Sequence, residues 1–167
     1  MKKKISKQWF WKKNEHNNSF KVTLVLRRML SQPLLLNPAD LVSVAFVGTL
    51  EGLPLLGDRE PSALCLNLKE QLTKIFYSNR ENDLIRRYFN FTTSEAFVYS
   101  DEISRSLFLL GQSDALISLP KRPGEIITPS VKSFANGLLE KKVISAGDYQ
   151  KLAYLGTRIK VEKAVYL

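Results

Sequence analysis

The stretch NPADLVSVAFV occupies residues 37 to 47, and its first four residues are suited to open a helix. Asn37 can cap the first turn, Pro38 suits the first helical position, and Asp40 complements the exposed backbone amides. The stretch therefore predicts a short helix that ends at about residue 47. Residues 42 to 47 are rich in valine, which strands also favour, so a strand is the alternative interpretation.

On the C-terminal side of this stretch, residues 48 to 61 contain glycines and prolines that predict a turn-rich connection. Leucine, isoleucine and phenylalanine then recur at helical spacing, which predicts an amphipathic helix over residues 63 to 77. Asn79 can cap a second helix over residues 80 to 89. We therefore expect two consecutive helices before residue 90.

Residues 90 to 119 contain three β-like segments, centred on residues 97–99, 107–110 and 115–119, with polar breaks between them. This pattern predicts an antiparallel meander. The following segment Pro120-Lys121-Arg122-Pro123-Gly124 cannot continue a strand, because its prolines lack the amide that a strand pairing requires. It predicts an exposed basic loop.

Two helices and a strand are predicted for the C-terminal part of the chain. Thr128-Pro129 opens the clearest helix of the sequence, and Ser145 caps the next one, which ends at Gly156 as a C-cap. Residues 159 to 167 alternate between apolar and polar side chains, as a half-buried strand requires. We expect this strand to pair with the one that begins at Phe20.

The N-terminal part of the chain divides at residue 20. Residues 20 to 26 alternate and predict a strand, whereas residues 1 to 19 have no sustained periodicity and end in a polar, asparagine-rich stretch. The sequence thus predicts a single compact α+β domain over residues 20–167, with four or five helices and a small antiparallel sheet. A flexible basic arm, mobile until it binds, is expected over residues 1–19.

The net charge of +9 is concentrated at one end of the chain. Residues 1 to 28 contain nine cations and one acid, and 9 − 1 gives +8. The remainder contains 25 − 9 = 16 cations and 16 − 1 = 15 acids, or +1. Charge gathered in one segment indicates a binding site, whereas evenly spread charge serves solubility.

The basic segment also carries the aromatic triplet Trp9-Phe10-Trp11. On RNA or single-stranded DNA, lysines displace counterions and aromatic rings stack on bases. On an acidic membrane, lysines are attracted to the surface and the rings settle among the headgroups. An extended backbone slightly favours nucleic acid, and folding of the rings back onto the domain is the structural alternative. The predicted polyanion-binding residues are Lys2, Lys3, Lys4, Lys7, Trp9, Phe10, Trp11, Lys12, Lys13, Lys21, Arg27, Arg28, Lys121 and Arg122.

Several kinds of catalytic site are disfavoured by the sequence. His16 is the single histidine and lies in the polar linker, which excludes histidine-based catalysis and metal binding. No glycine-rich nucleotide motif is present. We therefore expect no enzyme activity, no cofactor and no metal. The pairs Asp58/Glu60 and Asp101/Glu102 keep a metal-dependent nucleic-acid phosphodiesterase as an alternative.

The lone cysteine, Cys65, lies in an apolar run and is interpreted as a small buried hydrophobe. No secretory signal and no stretch of about 20 apolar residues is found. These features predict an intracellular protein without a transmembrane segment, with peripheral association with a membrane as an option.

A non-catalytic binding or assembly protein is the function that this pattern favours. A lysine-rich arm before a compact α+β body is similar in organisation to small viral matrix and nucleocapsid-associated proteins, which bridge a nucleoprotein to a membrane. The similarity lies in organisation alone, since no motif of those families is matched. It implies RNA or single-stranded DNA or an anionic membrane as partner, together with self-association into oligomers. An adaptor subunit of a larger ribonucleoprotein is a further alternative.

Overall fold

The computed structural model of the protein describes residues 36–167, which form six helices and six short strands. The helices are α1 (Pro38–Glu51), α2 (Leu68–Ser78), α3 (Asp83–Tyr88), α4 (Asp101–Gln112), α5 (Val131–Glu140) and α6 (Ala146–Gly156). The strands are β1 (Ser62–Cys65), β2 (Thr92–Thr93), β3 (Val98–Tyr99), β4 (Leu116–Ser118), β5 (Glu125–Ile127) and β6 (Lys163–Val165). The predicted α+β class with a small antiparallel sheet is confirmed. The predicted arm and the predicted strand at Phe20 lie outside the described residues.

Helix α1 is the centre of the fold because it has no polar face. All of its residues from Ala39 to Leu50 are buried, and it packs against α4, α5 and α6. A helix that is apolar all round is stable only when neighbours cover it on every side. Its two buried hydroxyl side chains lie within this apolar surface and donate hydrogen bonds to backbone carbonyls one turn earlier. These contacts make α1 the element around which α4, α5 and α6 are arranged.

The start of α1 has the capping geometry that its sequence predicts. The Asn37 side chain accepts from the Asp40 amide at 3.0 Å, and the Asp40 carboxylate accepts from the Asn37 amide at 2.9 Å. This reciprocal pair satisfies two amides that a helix start leaves unpaired. The helix prediction for residues 37 to 47 is confirmed over the strand alternative, and the helix continues to Glu51.

Helices α1 and α6 cross in direct backbone contact. A Cβ atom at Gly48 would lie 1.7 Å from the Ala153 carbonyl oxygen, and one at Gly156 would lie 1.6 Å from that of Ala45. The Thr49 hydroxyl donates to the Gly156 carbonyl at 2.8 Å across this crossing. The predicted end of the helix at Gly156 is confirmed, but Gly156 is required by the crossing rather than by a left-handed C-cap, since its φ is not positive.

Four of the strands form one antiparallel sheet in the order β4-β5-β1-β6, and β2 and β3 form a separate hairpin. The central strand β1 pairs with β5 and β6, so that Ala63 lies opposite both Ile127 and Ala164. The predicted helix over residues 63 to 77 is therefore wrong over its first residues, and α2 begins at Leu68. Two hydrogen-bonded neighbours override the preference of alanine and leucine for helix.

The middle segment of the predicted meander is a helix instead of a strand. Residues 107 to 110 belong to α4, whose residues Ile103, Leu107 and Leu110 are buried at helical spacing. Ser100 caps this helix by accepting from the Ile103 amide, whereas Phe108 lies on the outer face and is 64% exposed. The predicted strands at 97–99 and 115–119 are confirmed as β3 and β4, but they pair with β2 and β5 and form no meander.

The remaining helices and the last strand have the type that the sequence predicts, but some of their ends differ from the predicted ones. Helix α3 is capped by Asn82 rather than Asn79 and begins three residues later than predicted. Helices α5 and α6 are confirmed, and the Ser145 hydroxyl accepts from the Asp148 amide at 3.1 Å. Strand β6 is present and pairs with β1, while its predicted pairing with the strand at Phe20 lies outside the described residues. None of the helices within residues 36–167 is both long and apolar enough to cross a bilayer.

Candidate polyanion-binding surface

Two of the predicted binding residues, Lys121 and Arg122, belong to the part of the chain that the structure describes. Both are exposed in the loop that joins β4 to β5, so the predicted exposed basic loop is confirmed. The Leu119 amide donates to the Gly124 carbonyl at 3.3 Å and closes this hairpin. The other predicted binding residues lie outside the described residues: Lys2, Lys3, Lys4, Lys7, Trp9, Phe10, Trp11, Lys12, Lys13, Lys21, Arg27 and Arg28.

The base of this hairpin forms one wall of a cleft of about 380 Å³, which we call the α2 cleft. Its volume lies within the range typical of small-molecule sites. The first turn of α2 forms a second wall and strand β3 a third. The lining residues are Asn67, Leu68, Lys69, Glu70, Thr73, Val98, Tyr99, Gly124 and Glu125.

A cation and an aromatic ring meet in the α2 cleft. The Lys69 ammonium lies 5.1 Å from the centroid of the Tyr99 ring, which is within the range of a cation–π contact. The Tyr99 hydroxyl donates to the Asp101 carboxylate at 2.8 Å and thereby holds the ring in place. Phe97 is two residues earlier along the chain and is 62% exposed, but it is not among the residues that line the cleft. Tyr99 is therefore the aromatic residue in the lining of the cleft.

The start of α2 adds partial positive charge to the cleft. Asn67 adopts a left-handed backbone conformation, with φ 51°, and its side chain makes no capping hydrogen bond. The first-turn amides therefore keep the partial positive charge that a side-chain cap would offset. The acid in this turn, Glu70, is paired with Lys74 at 2.6 Å.

Glu125 lines the cleft and has an unsatisfied carboxylate oxygen. Its Oε2 is buried and has no hydrogen-bond partner among the described residues. Glu125 lies opposite Cys65 and Ser118 in the sheet and shares a face with them, which turns it toward the helices. Burial raises the pKa of this carboxyl, and the positive charge of Lys69 opposes the rise. The Oε2 atom is therefore a buried hydrogen-bond acceptor without a donor among the described residues.

The Cys65 thiol is inert in this setting. Its side chain is fully buried, and burial, followed by the nearby charges of Glu125 and Glu162, raises its pKa to about 12. A thiol with this pKa stays protonated at neutral pH and is a poor nucleophile. The interpretation of Cys65 as a buried hydrophobe is confirmed.

Glu125 also borders a second, more apolar groove of about 450 Å³ between α4 and β4. Leu107 and Phe108 line it from the helix, and Leu116 and Ile117 line it from the strand. Phe108 and Ile117 are both exposed at its rim. The α2 cleft and this groove therefore meet at one carboxyl group.

Three of the four acids considered as metal ligands take part in other contacts. Glu60 forms an ion pair with Lys132 at 3.2 Å. Asp101 accepts from Tyr99, and Glu102 accepts from the Asn90 side chain at 2.9 Å. Burial acts to raise the pKa of Glu102, but hydrogen bonds from Asn90 and Ser100 outweigh it and lower the pKa. Within residues 36–167, no three or more acids, cysteines or histidines are grouped so as to hold a metal ion.

Sequence reasoning missed the residues that form the α2 cleft. Lys69 and Tyr99 belong to elements that are far apart along the chain, and only the fold brings them together. Glu125 carried a local signal, because an acid directly before Ile126 and Ile127 in a strand is out of pattern. Comparison of the chain with protein-family models, curated proteins and solved structures found no match.

Proposed function

We propose that the protein is a non-catalytic binding and assembly protein that attaches to a polyanionic surface through residues 1–28. The observation that carries this proposal is the distribution of charge. Residues 1–28 have a net charge of 9 − 1 = +8, whereas the rest of the chain, with 16 cations and 15 acids, has +1. Such separation favours electrostatic capture of an anionic partner by one segment.

The described surface adds a smaller basic region to this segment. Several cations of residues 36–167 are paired with acids, as in Lys74–Glu70 and Arg86–Asp83. Lys121 and Arg122 form none of the ion pairs found among the described residues, and both are exposed. They support a second contact with the same polyanion, close to the α2 cleft.

Single-stranded nucleic acid is the partner that we favour over an acidic membrane. Trp9, Phe10 and Trp11 are consecutive, so an extended backbone presents rings on both sides, which suits stacking between bases. A membrane-bound helix requires its aromatic side chains on one face, and three consecutive residues spread over about 200° of a helix. The buried Cys65 thiol fits a reducing, intracellular location.

A salt series with the full-length chain tests the proposal. The first variant replaces Lys2, Lys3 and Lys4 by glutamine. The matched control replaces Lys141, Lys151 and Lys163, which are exposed on the described surface, and leaves the same net charge of 9 − 3 = +6. Binding to a single-stranded RNA, a duplex DNA and phosphatidylserine vesicles is measured for each protein between low and physiological salt.

We expect the first variant to reduce the slope of log affinity against log salt by about 2 on RNA, since each lost phosphate contact removes about 0.7. The control variant should keep the slope of the unmodified chain. Equal losses in both variants would show that net charge matters rather than the segment, and would refute the proposal. Loss on vesicles alone would favour the matrix-like interpretation, whereas loss on RNA alone would favour a ribonucleoprotein subunit. RNA cleavage that a chelator abolishes would instead favour the phosphodiesterase alternative.

A further inference from the structure

The apolar groove between α4 and β4, which we call the α4 groove, lies beside an open edge of the four-stranded sheet. Within residues 36–167, β4 has β5 as its one strand neighbour. We propose that residues 20–26 of the same chain, which lie outside the described residues, add a strand at this edge and cover the groove. The inference goes beyond the proposed function and holds for either kind of polyanion.

The backbone of β4 offers hydrogen-bonding groups to a further strand. The Leu119 amide donates to the Gly124 carbonyl at 3.3 Å, directly after the residues of β4 that pair with β5. Hydrogen-bonded residues alternate with unbonded ones along an antiparallel ladder, so Ile117 is also bonded to β5. Leu116 and Ser118 therefore direct their amides and carbonyls away from β5, toward the open edge.

No charged side chain protects this edge. Native edge strands commonly carry charges that prevent pairing with a further strand. The strand at the opposite edge, β6, has the exposed Lys163, whereas β4 consists of Leu116, Ile117 and Ser118. Ile117 is 37% exposed, and Phe108 on the other side of the groove is 64% exposed. An apolar, uncharged edge of this kind is expected to be covered by another part of the protein.

Residues 20–26, with the sequence FKVTLVL, have the side-chain pattern that the α4 groove requires. In an extended segment, alternate side chains share a face, so Phe20, Val22, Leu24 and Leu26 would all be turned toward the groove. A strand at the β4 edge would place this apolar face against the exposed side of α4. Burial of apolar surface on both sides favours the contact.

Charge complementarity favours the same segment. Among the described residues that line the groove, Asp114 and Glu125 are acids and none is a cation. Residues 20–28 contain three cations and no acid. Two of the cations, Lys21 and Arg27, would lie on the face opposite the apolar side chains, where they stay accessible to a polyanion.

The connecting chain is long enough to allow this docking. Residues 27–35 join Leu26 to Leu36, where the described part of the chain begins. This connection of about ten Cα steps spans at most about 33–36 Å. Helix α1 begins at Pro38, is about 21 Å long and packs against α4. The groove on α4 is therefore within reach of residues 20–26.

Hydrogen exchange of the ¹⁵N-labelled full-length chain, followed by NMR, tests the docking. Leu24→Lys places a charge on the groove side of the segment, and Thr23→Lys, on the opposite side, is the matched control. In the unmodified chain the amides of Leu116 and Ser118 should exchange slowly. We expect Leu24→Lys to accelerate their exchange about tenfold or more, because a buried leucine is lost, and Thr23→Lys to leave it unchanged. The Ile117 amide, which is bonded to β5, is the internal reference.

A variant of the groove tests the same contact from the other side. Phe108→Ser should accelerate exchange of the outward amides of β4, whereas Tyr154→Ser, at an exposed tyrosine of α6, should not. The two replaced rings are 64% and 68% exposed, so neither variant disturbs the core. Amide spectra of each variant establish that it is folded.

Three results would overturn this inference. If the two lysine variants leave exchange at β4 unchanged, residues 20–26 do not cover this edge. If Leu24→Lys accelerates exchange of Ala164 in β6 instead, the segment pairs with β6. If slow exchange at β4 appears only as the protein concentration rises, the occupant is a second copy of the chain. Because no polyanion is present in these measurements, they are independent of the salt series that tests the proposed function.

Discussion

The crossing of α1 and α6 leads to a strong prediction about stability. In Gly156→Ala, the new methyl group would lie 1.6 Å from the Ala45 carbonyl oxygen, where van der Waals contact requires roughly 3.5 Å. The obstacle is backbone inside a buried helix, which cannot rotate away as a side chain could. The two helices must therefore separate, and α1 is covered on all sides by its neighbours.

The expected cost follows from three contributions. Overpacking of this kind costs about 1–3 kcal/mol or more, and separation of the helices weakens the Thr49–Gly156 hydrogen bond, worth about 1 kcal/mol. The higher helix propensity of alanine returns about 1 kcal/mol. We therefore expect Gly156→Ala to lower the free energy of unfolding by about 1–3 kcal/mol or more. That is a large part of the stability of a typical domain.

Urea denaturation followed by far-UV circular dichroism measures this loss. Far-UV circular dichroism is chosen because it reports on the helices of residues 36–167, whereas the two tryptophans, Trp9 and Trp11, lie outside the described residues. Gly137→Ala in α5 is the matched control, since a Cβ there has nothing within 4 Å. It should be neutral or stabilising by up to about 1 kcal/mol.

A Gly156→Ala protein that unfolds within about 0.5 kcal/mol of the unmodified chain would contradict the close crossing. Gly48→Ala should be similarly destabilised, because its Cβ would lie 1.7 Å from the Ala153 carbonyl. Both methyl groups press on the same interface. The double variant should therefore cost less than the sum of the two single variants.

Three further predictions concern single residues. Cys65 should not react with a thiol reagent at pH 8 in the folded protein and should give one equivalent after unfolding, because its pKa is raised to about 12; rapid reaction of the native thiol would contradict its burial. Glu125→Gln should be more stable than the unmodified chain at neutral pH. The folded pKa of this acid lies above the unfolded value of 4.5, so stability is lost as pH rises through this interval, and the advantage of glutamine should vanish below about pH 4 in urea midpoints. Ser145→Ala should destabilise the protein by about 1 kcal/mol through loss of the α6 cap, and a change of under 0.3 kcal/mol in the same urea assay would argue against the cap.

Helix starts were the features that could be predicted best from sequence, because capping depends on a few adjacent residues. Asn37 and Ser145 cap the helices that their sequence context predicts. The α3 start was displaced because Asn79 and Asn82 are both suitable caps, and Asn82 has the amides of Leu84 and Ile85 within reach. Capping residues therefore predict that a helix begins, but where two of them lie close together they do not predict at which residue it begins.

The segments predicted wrongly are those in which neighbours outweigh local preference. Residues 107–110 are a continuous apolar run that suits either a strand or a helix, and burial of Ile103, Leu107 and Leu110 against the core selects the helix. The opposite holds at β1, where Ala63 and Leu64 prefer helix but the segment is hydrogen-bonded between β5 and β6. Neither the helix at residues 107–110 nor the strand at residues 62–65 can be predicted from those few residues alone.

The candidate sites differ in the same way. The basic segment could be recognised from sequence because its charge is contiguous, and Lys121 and Arg122 because prolines on both sides predict a loop. The α2 cleft could not be recognised from sequence, because Lys69, Tyr99 and Glu125 lie in three different elements. Roughly 30 residues of chain separate each of them from the next. Only strand pairing and helix packing bring them to one place.

By itself, the amino-acid sequence determined the α+β class, the capped helix starts and the concentration of positive charge in residues 1–28. These properties depend on composition and on residues near one another in the chain. The tertiary structure decided that α1 is the buried centre, that Gly48 and Gly156 form a backbone crossing, and that Lys69, Tyr99 and Glu125 line one cleft. Each of these depends on contacts between distant segments, whose free energies exceed the local preferences of any one of them.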